Sequence, residues 1–420
     1  MALVTELELP ALDVMDPALR GPRFHETMRE LRAQTWLAAA PFGYVVLDRE
    51  SCAFFLRTRA ATFPGMKIAE LFGVESGPLR EEMERNILHL DGAVHSRLRN
   101  LVNPAFTPRA ADRWRGAMRR FLEELFAAVA PAGRCEFVEA FAKPYPSLTI
   151  ATVMGAPLSD APRLHEWSNW IQRQFDGPSL MTERARIEQA CAEFYEWAGE
   201  LLAHRRRRHG CRQTPSDDLI STLIAARYEG DRLSDDELVN LVLNVLVGGV
   251  DTTQSQLAHA IRLFAEHPGQ WALLASRPEL VGQAVDEVLR YEPITPFTAR
   301  ITREEVVYRD VTFPEGTLVM VASCAANRAD DVIEAPDELD ITADRGTHKP
   351  LTFGAGVHYC LGANLARAEL QEALAFLAPR MAGLRLDGEP VYGSVNGVYG
   401  LDALPIAWDA GSSVAGSGAP

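Results

Sequence analysis

Nothing in the sequence is long and apolar enough to sit in a bilayer. The most apolar stretch, Leu241 to Val250, is about half the ~20 residues a membrane span requires, and it contains Asn244. The N-terminus carries Glu6, Glu8, Asp13 and Asp16 where a signal peptide would have a basic region and an apolar run, so a soluble, cytoplasmic protein is expected. Paired cysteines are missing too. Cys52, Cys135, Cys191, Cys211, Cys324 and Cys360 form no C-x-x-C and share no regular spacing, which argues against a zinc site or a disulfide framework. Positive charge is scarce: 42 Lys and Arg against 57 Asp and Glu leave a net charge of -15, which speaks against bulk nucleic-acid binding. The one basic block, Arg205 to Arg208 between His204 and His209, reads as a solvated helix C-terminus, where cations suit the dipole, ahead of a phosphate-binding patch. No fixed-period repeat and no internal linker divide the chain. One domain over residues 1–409 is expected, followed by a flexible Gly/Ser/Ala-rich tail at 410–420.

What is present is mostly helix. Arg109 to Ala130, Thr182 to Arg208 and Pro278 to Tyr291 repeat apolar residues at three- and four-residue intervals. Ser234-Asp235-Asp236-Glu237 is a capping-box start, from which a helix can run to about His267, long enough to cross the molecule. Strand signals are confined to Gly43–Leu47, Val306–Phe313, Thr317–Ser323 and Leu404–Trp408. The fold class is mainly α with small β-sheets to the side.

Two places carry chemistry on their own terms. Phe353-Gly354-Ala355-Gly356-Val357-His358-Tyr359-Cys360-Leu361-Gly362 runs into a helical stretch from Ala363. Glycines there admit unusual dihedrals and a close approach to a flat ligand, and a cysteine at a helix start has free N–H groups to stabilise a thiolate, a natural axial ligand for heme iron. Within the long helix, Gly248-Gly249-Val250-Asp251-Thr252-Thr253 breaks helix preference twice: glycine costs ~1 kcal/mol against alanine, and a polar pair interrupts an apolar run. Such violations gather at functional sites.

The cysteine segment resembles the F-G-x-G-x-H/R-x-C-x-G signature of the cytochrome P-450 family, and the likeness extends from about Phe24 to Trp408. It implies a single helical domain with heme b between the long helix and the cysteine loop, Cys360 as the thiolate ligand and metal contact, and Gly354 and Gly248 close to the heme faces. Asp251 would relay protons and Thr252 would hydrogen-bond the dioxygen. His95 and Arg99, four apart on one helical face, together with Arg300 and His358, match the family's propionate partners. Glu287-Val288-Leu289-Arg290 matches its E-x-x-R, a structural pair expected to be joined by Arg328. Two segments depart from the family's pattern: Asn327-Arg328-Ala329-Asp330-Asp331 stands for N-R-D-P, and Pro336-Asp337-Glu338-Leu339-Asp340 for P-x-x-F-D. They put the local packing and the role of Arg328 in question.

The substrate pocket is expected along the stripe of Asn244, Gly248, Asp251, Thr252 and Ser255 with Val247 beside it, closed by Pro296-Phe297-Thr298 and Val398-Tyr399 and roofed by the loop from Ile68 to Leu90. Asn244 either hydrogen-bonds a polar substrate group or is satisfied within the core. The expected reaction is insertion of one oxygen atom from O2 into an apolar small molecule. No G-x-G-x-x-G follows a strand, so electrons must come from outside. Arg97, Arg109, Arg113, Arg115, Arg119 and Arg120 are candidates for docking an acidic ferredoxin on the Cys360 side, and a monomer is expected. A peroxide-driven peroxygenase, a non-catalytic heme-thiolate sensor and a Cys-nucleophile hydrolase are the competing readings. The acid–alcohol pair disfavours the first, the missing signalling appendage the second, and the unexplained Glu287, Arg290 and Thr252 the third.

Overall fold

The structure, a computed structural model, describes residues 2–209, 218–226, 230, 232–346 and 349–409. The tail at 410–420 and Cys211 lie outside the described residues. The Ser234 capping box forms as read: its hydroxyl accepts from Glu237 N–H while the Glu237 carboxylate accepts from Ser234 N–H. The helix it starts does cross the molecule, but in two pieces, Asp235–Gly249 and Asp251–Glu266. They meet at Val250, whose φ of -87° and ψ of -66° bend the path. This central helix is packed on most sides by other helices, and its buried Leu, Val and Ile residues form the middle of the main hydrophobic core.

Against it lie the helices Pro144–Met154, Ala161–Gln172 and Arg184–His209, and on the opposite side the helices Val281–Tyr291 and Ala363–Leu377. The expected helix from Arg109 divides into Pro108–Asp112 and Arg115–Val129. The basic block ends its helix as expected. Arg205 pairs with Asp218 and bonds the Gly155 carbonyl, and Arg206 pairs with Asp235. The expected roof loop is more ordered than the sequence suggested, with short helices at Gly65–Leu71 and Pro78–Arg85.

Strands gather at one side. A five-stranded sheet runs in the order Leu37–Ala40, Gly43–Val46, Leu318–Ala322, Phe297–Thr302, Ala61–Thr62, with one parallel pair, Tyr44 to Val319 through Val46 to Val321. Val306–Phe313 is a hairpin and not one strand: Arg309 and Asp310 turn the chain with φ of 48° and 62°. Two smaller apolar clusters, one around Phe55 and Phe313 and one around Phe24 and Tyr399, flank the large sheet. Among the described residues no helix is long and apolar enough to cross a membrane.

Candidate active site

The cysteine loop is built by backbone geometry. Gly354 and Gly356 adopt φ of 69° and 72°, and a Cβ on Gly356 would stand 2.8 Å from the Leu56 carbonyl oxygen, so no other residue fits without strain. Cys360 N–H closes the loop on Phe353 C=O at 2.9 Å. Upstream, Asn327 anchors it: Oδ1 accepts from Leu351 N–H at 2.7 Å and Nδ2 donates to Thr352, whose hydroxyl reaches Leu289 C=O. The helix begins at Ala363, three residues past the cysteine. Burial pushes the Cys360 thiol above its ordinary pKa, while the N–H groups of Gly362 and Ala363 and the guanidiniums of Arg99 and Arg367 pull it back. The helix start therefore does not by itself yield a thiolate; a coordinated metal ion would.

Cys360, Phe353, Gly354 and Leu361 form one wall of a cavity of about 410 Å³, and Asn244, Val247, Gly248 and Thr252 on the central helix form the wall opposite. Phe297, Thr298, Val398, Ile87 and Phe175 close it. Four expected pocket residues do not line it: Asp251, Ser255, Pro296 and Tyr399. Tyr399, next to the cavity-lining Val398, is itself fully buried away from the cavity. Its hydroxyl accepts from Gly21 N–H at 2.8 Å and its ring packs on Phe24 and His259. Pro296 does not line the cavity; its carbonyl accepts from Ser323 Oγ.

At one edge of the slot, cationic and imidazole groups crowd together with little to balance them. Arg99, Arg300 and His358 line the cavity, and His95 lies behind, its ring 4.5 Å from that of His358. Burial lowers the pKa of every one: His95 falls to about 4, with His358 and Arg99 adding to the fall, and Arg300 to about 10. Arg300 makes one bond, to the Ala299 carbonyl, and Arg99 one, to that of Tyr359. His358 Nδ1 is buried without a partner. Asp91, which accepts from Thr62 and lies 3.4 Å from His358 Nε2, is the carboxylate nearest them, and the sequence reading missed it. Buried cations without partners are costly. This edge fits the paired carboxylates of a heme, and the slot between Cys360 and Thr252 fits its flat ring.

On the central helix, Thr252 Oγ1 donates to Gly248 C=O at 2.6 Å, satisfying the carbonyl just before the break at Val250. A Cβ on Gly249 would collide with Ile150, which keeps that position small. Asp251 does not line the cavity. It is buried against the helix Ala161–Gln172, accepting from Asn169 Nδ2 at 3.3 Å; burial lifts its pKa to about 6, against the pull of Asn169 and Arg173. Asn244 is satisfied in part within the protein. Its Oδ1 accepts from Ile87 N–H at 3.1 Å, fixing the amide, and its Nδ2 is left without an acceptor on a cavity-lining residue. One turn earlier, Asn240 Nδ2 holds Arg85 C=O at 2.6 Å, so two amides tie the roof to the helix. Glu369, also missed, is a buried cavity-lining carboxyl pushed well up by burial, with Thr253 3.5 Å away.

The Glu287–Arg290 pair is buried and bidentate, both bonds at 2.8 Å. Arg290 also reaches the carbonyls of Asn327, Pro336 and Glu338, stitching its helix to the segment before the cysteine loop. Its third partner is not Arg328. Arg345 donates to both Glu287 oxygens, at 2.7 and 3.2 Å, because the chain from Asp340 folds back over the helix. Arg328 stacks on Tyr291 and bonds its carbonyl and Asp337. Arg328 lies in the first of the two departing segments, 327–331, and its partner Asp337 in the second, 336–340.

A helical domain with a cysteine loop facing a broken helix across a slot is the architecture of heme-thiolate oxygenases. The cytochrome P450 family model matches residues 73–377, and the chain belongs to that family as a monooxygenase. It is 35% identical over 407 residues to luteothin monooxygenase of Streptomyces thioluteus, covering 96% of this chain and 97% of that one. It is 38% identical over 312 residues to mycinamicin IV hydroxylase/epoxidase of Micromonospora griseorubida, covering 73% and 75%. Among solved structures, CalO2 superposes with a TM-score of 0.86 at 30% identity, over 96% of this chain and 100% of that one.

Proposed function

We propose that Cys360 is the axial thiolate of a heme b whose propionates are held by Arg99, Arg300 and His358, with His95 packed behind His358, and that the enzyme oxidises an uncharged, largely apolar molecule. When bound there, the heme supplies dioxygen activation. Four side-chain tasks remain for the protein. Arg300 and Arg99 bind and orient the carboxylates, and His358 Nδ1 finds its acceptor there. Thr252 Oγ1 is the hydroxyl on the oxygen-facing wall, and Asp251, neutral or charged around its raised pKa of about 6, stores a proton one residue away. Asn244 Nδ2, held as a donor because Ile87 N–H occupies its oxygen, orients a carbonyl or ether oxygen of the substrate. Beyond Arg99 and Arg300 at the propionate edge, the cavity lining holds no cation to match a substrate carboxylate.

Electrons reach the cysteine side from an acidic ferredoxin. Arg97 pairs with Glu237, and Arg115 and Arg119 pair with Glu372, so three of the six expected arginines are already matched. Arg109, Arg113 and Arg120 are exposed, as are the apolar Val94 and the cysteine-loop residues Val357 and Tyr359. Exposed arginines together with exposed apolar residues suit a small acidic partner.

The observation that carries the assignment is Cys360 and Thr252 lining one cavity edged by Arg99 and Arg300, whose hydrogen bonds go to backbone carbonyls and not to a carboxylate. The test is the difference spectrum of reduced protein with carbon monoxide. A long-wavelength Soret band in wild type, lost in Cys360→Ser, is expected; a short-wavelength band in wild type rules out thiolate ligation by Cys360. Peroxide supporting turnover as well as O2 plus ferredoxin would favour the peroxygenase.

A further inference from the structure

Behind the cysteine loop lies a cation that the site described above leaves without a task. Arg367, on the helix Ala363–Leu377, lays its guanidinium over the ring of Phe353, 4.6 Å from the centroid. Phe353 C=O accepts the Cys360 N–H at 2.9 Å, and Phe353 and Cys360 belong to the same cavity wall. Arg367 is not itself a lining residue, so its charge does not serve a propionate or a substrate as those of Arg99 and Arg300 can. Its Nε donates to Asp286 Oδ1 at 3.0 Å, from the neighbouring helix Val281–Tyr291. The next residue, Glu287, is committed to Arg290 and Arg345, which leaves Asp286 as the carboxylate that balances Arg367.

The two charges are not equally placed. The Arg367 side chain is 24% exposed and that of Asp286 54%. Water screens the outer carboxylate more than the inner guanidinium, so the pair leaves a net positive field on the cysteine loop. In keeping with this, burial raises the Cys360 thiol, while the Gly362 N–H, Arg99 and Arg367 oppose burial in favour of the thiolate.

We propose that Arg367 raises the reduction potential of the heme held by Cys360, and that Asp286 limits the rise. Both are positioning residues: neither touches the reacting atoms, and both act through the field at the cysteine loop and the stack on Phe353. One electron passes from the external ferredoxin-type donor to ferric iron, giving ferrous iron with no bond made or broken. Negative charge then grows beside the thiolate, and a nearby cation favours that reduced form. The surface carboxylate offsets part of the cation's effect, so the acid and the base pull the potential in opposite directions.

This inference rests on the heme assignment. Its test is a spectroelectrochemical titration of substrate-free holoenzyme in wild type, Asp286→Asn, Arg367→Gln and Arg367→Lys, after the reduced carbon monoxide spectrum of each is recorded. Asparagine keeps an oxygen for Arg367 Nε and removes the charge. Arg367→Gln should shift the ferric–ferrous equilibrium about tenfold toward ferric iron, a potential lower by about 59 mV for one electron. Asp286→Asn should shift it about threefold the other way, less because the carboxylate is exposed, and high salt should shrink that shift. Arg367→Lys keeps the charge and should stay within about threefold of wild type. Opposite signs separate a field from a loosened loop, which would move Asp286→Asn and Arg367→Gln the same way. Shifts of one sign, an Asp286→Asn potential equal to wild type, or Arg367→Lys as low as Arg367→Gln, each overturns the proposal. If Arg367→Gln loses its heme, Asp286→Asn and Arg367→Lys carry the decision. A wild-type carbon monoxide spectrum without the thiolate band overturns the heme assignment and this inference together; a normal spectrum with unmoved potentials overturns this inference alone.

Discussion

Replacing Glu287 by alanine removes the carboxylate on which Arg290 and Arg345 converge. Arg290 keeps its three carbonyl partners but becomes a buried cation without a counter-charge, at 2% side-chain exposure. Breaking a buried pair from one side costs ~3–5 kcal/mol. Asp340 N–H, which donates to Glu287 Oε1 at 3.1 Å, loses its acceptor for about 1 kcal/mol more. The sum of about 4–6 kcal/mol is a large part of the ~5–15 kcal/mol that holds a typical protein folded. Glu287→Ala should therefore unfold at far lower urea and carry little heme, read by circular dichroism, Soret absorbance and heme-to-protein ratio. Although burial works against it, hydrogen bonds from Arg290 and Arg345 hold the Glu287 carboxyl below its ordinary range. Its stabilisation is complete above the unfolded pKa and is lost as pH falls through the lower folded one. The gap between wild type and Glu287→Gln should accordingly shrink in acid. Double-mutant cycles separate the partners: Glu287 should couple to Arg345 by about 1–3 kcal/mol and to Arg328 by less than ~0.5 kcal/mol. A Glu287→Ala variant with the wild-type midpoint and full heme, or equal coupling to both arginines, would refute the reasoning.

Thr252→Ala should keep electron consumption while product per electron pair falls, and Asp251→Asn should slow turnover by ~10²-fold and lose the decline that wild type shows as pH rises through about 6; coupled turnover unchanged in either variant would remove the acid–alcohol role. Asn244→Leu should raise the substrate dissociation constant about tenfold for acceptor-bearing substrates and leave purely hydrocarbon probes unaffected, measured by the Soret spin shift. Reversing Arg109, Arg113 and Arg120 to glutamate should slow ferredoxin reduction and flatten its salt dependence in stopped-flow measurements, with substrate binding unchanged.

Features encoded within a few residues were legible in the sequence. The Ser234 capping box, the cysteine loop and the 287–290 pair all depend on neighbours along the chain, and all form. Features that depend on the tertiary path were not. Arg345 meets Glu287 across 58 residues, and the one local signal was an arginine shortly after Asp340. Arg115 and Arg119 turned out to serve Glu372 more than 250 residues away, so a basic run that reads as one surface is half internal bracing. Val398 lines the cavity while its neighbour Tyr399 is buried away from it, which composition cannot reveal. Arg309 and Asp310 make a left-handed turn without the glycine or asparagine that would mark it.

The interruption at Val250 divides labour along a single helix. Asn240 and Asn244, which grip the roof, belong to the half before it; Asp251 and Thr252 belong to the half after it. A substitution that reshapes the roof grip leaves the later half's hydrogen-bond ladder intact, so the guest molecule can change while the oxygen chemistry is conserved. For engineering, positions 240 and 244 are the dial, and 251 and 252 the fixed works.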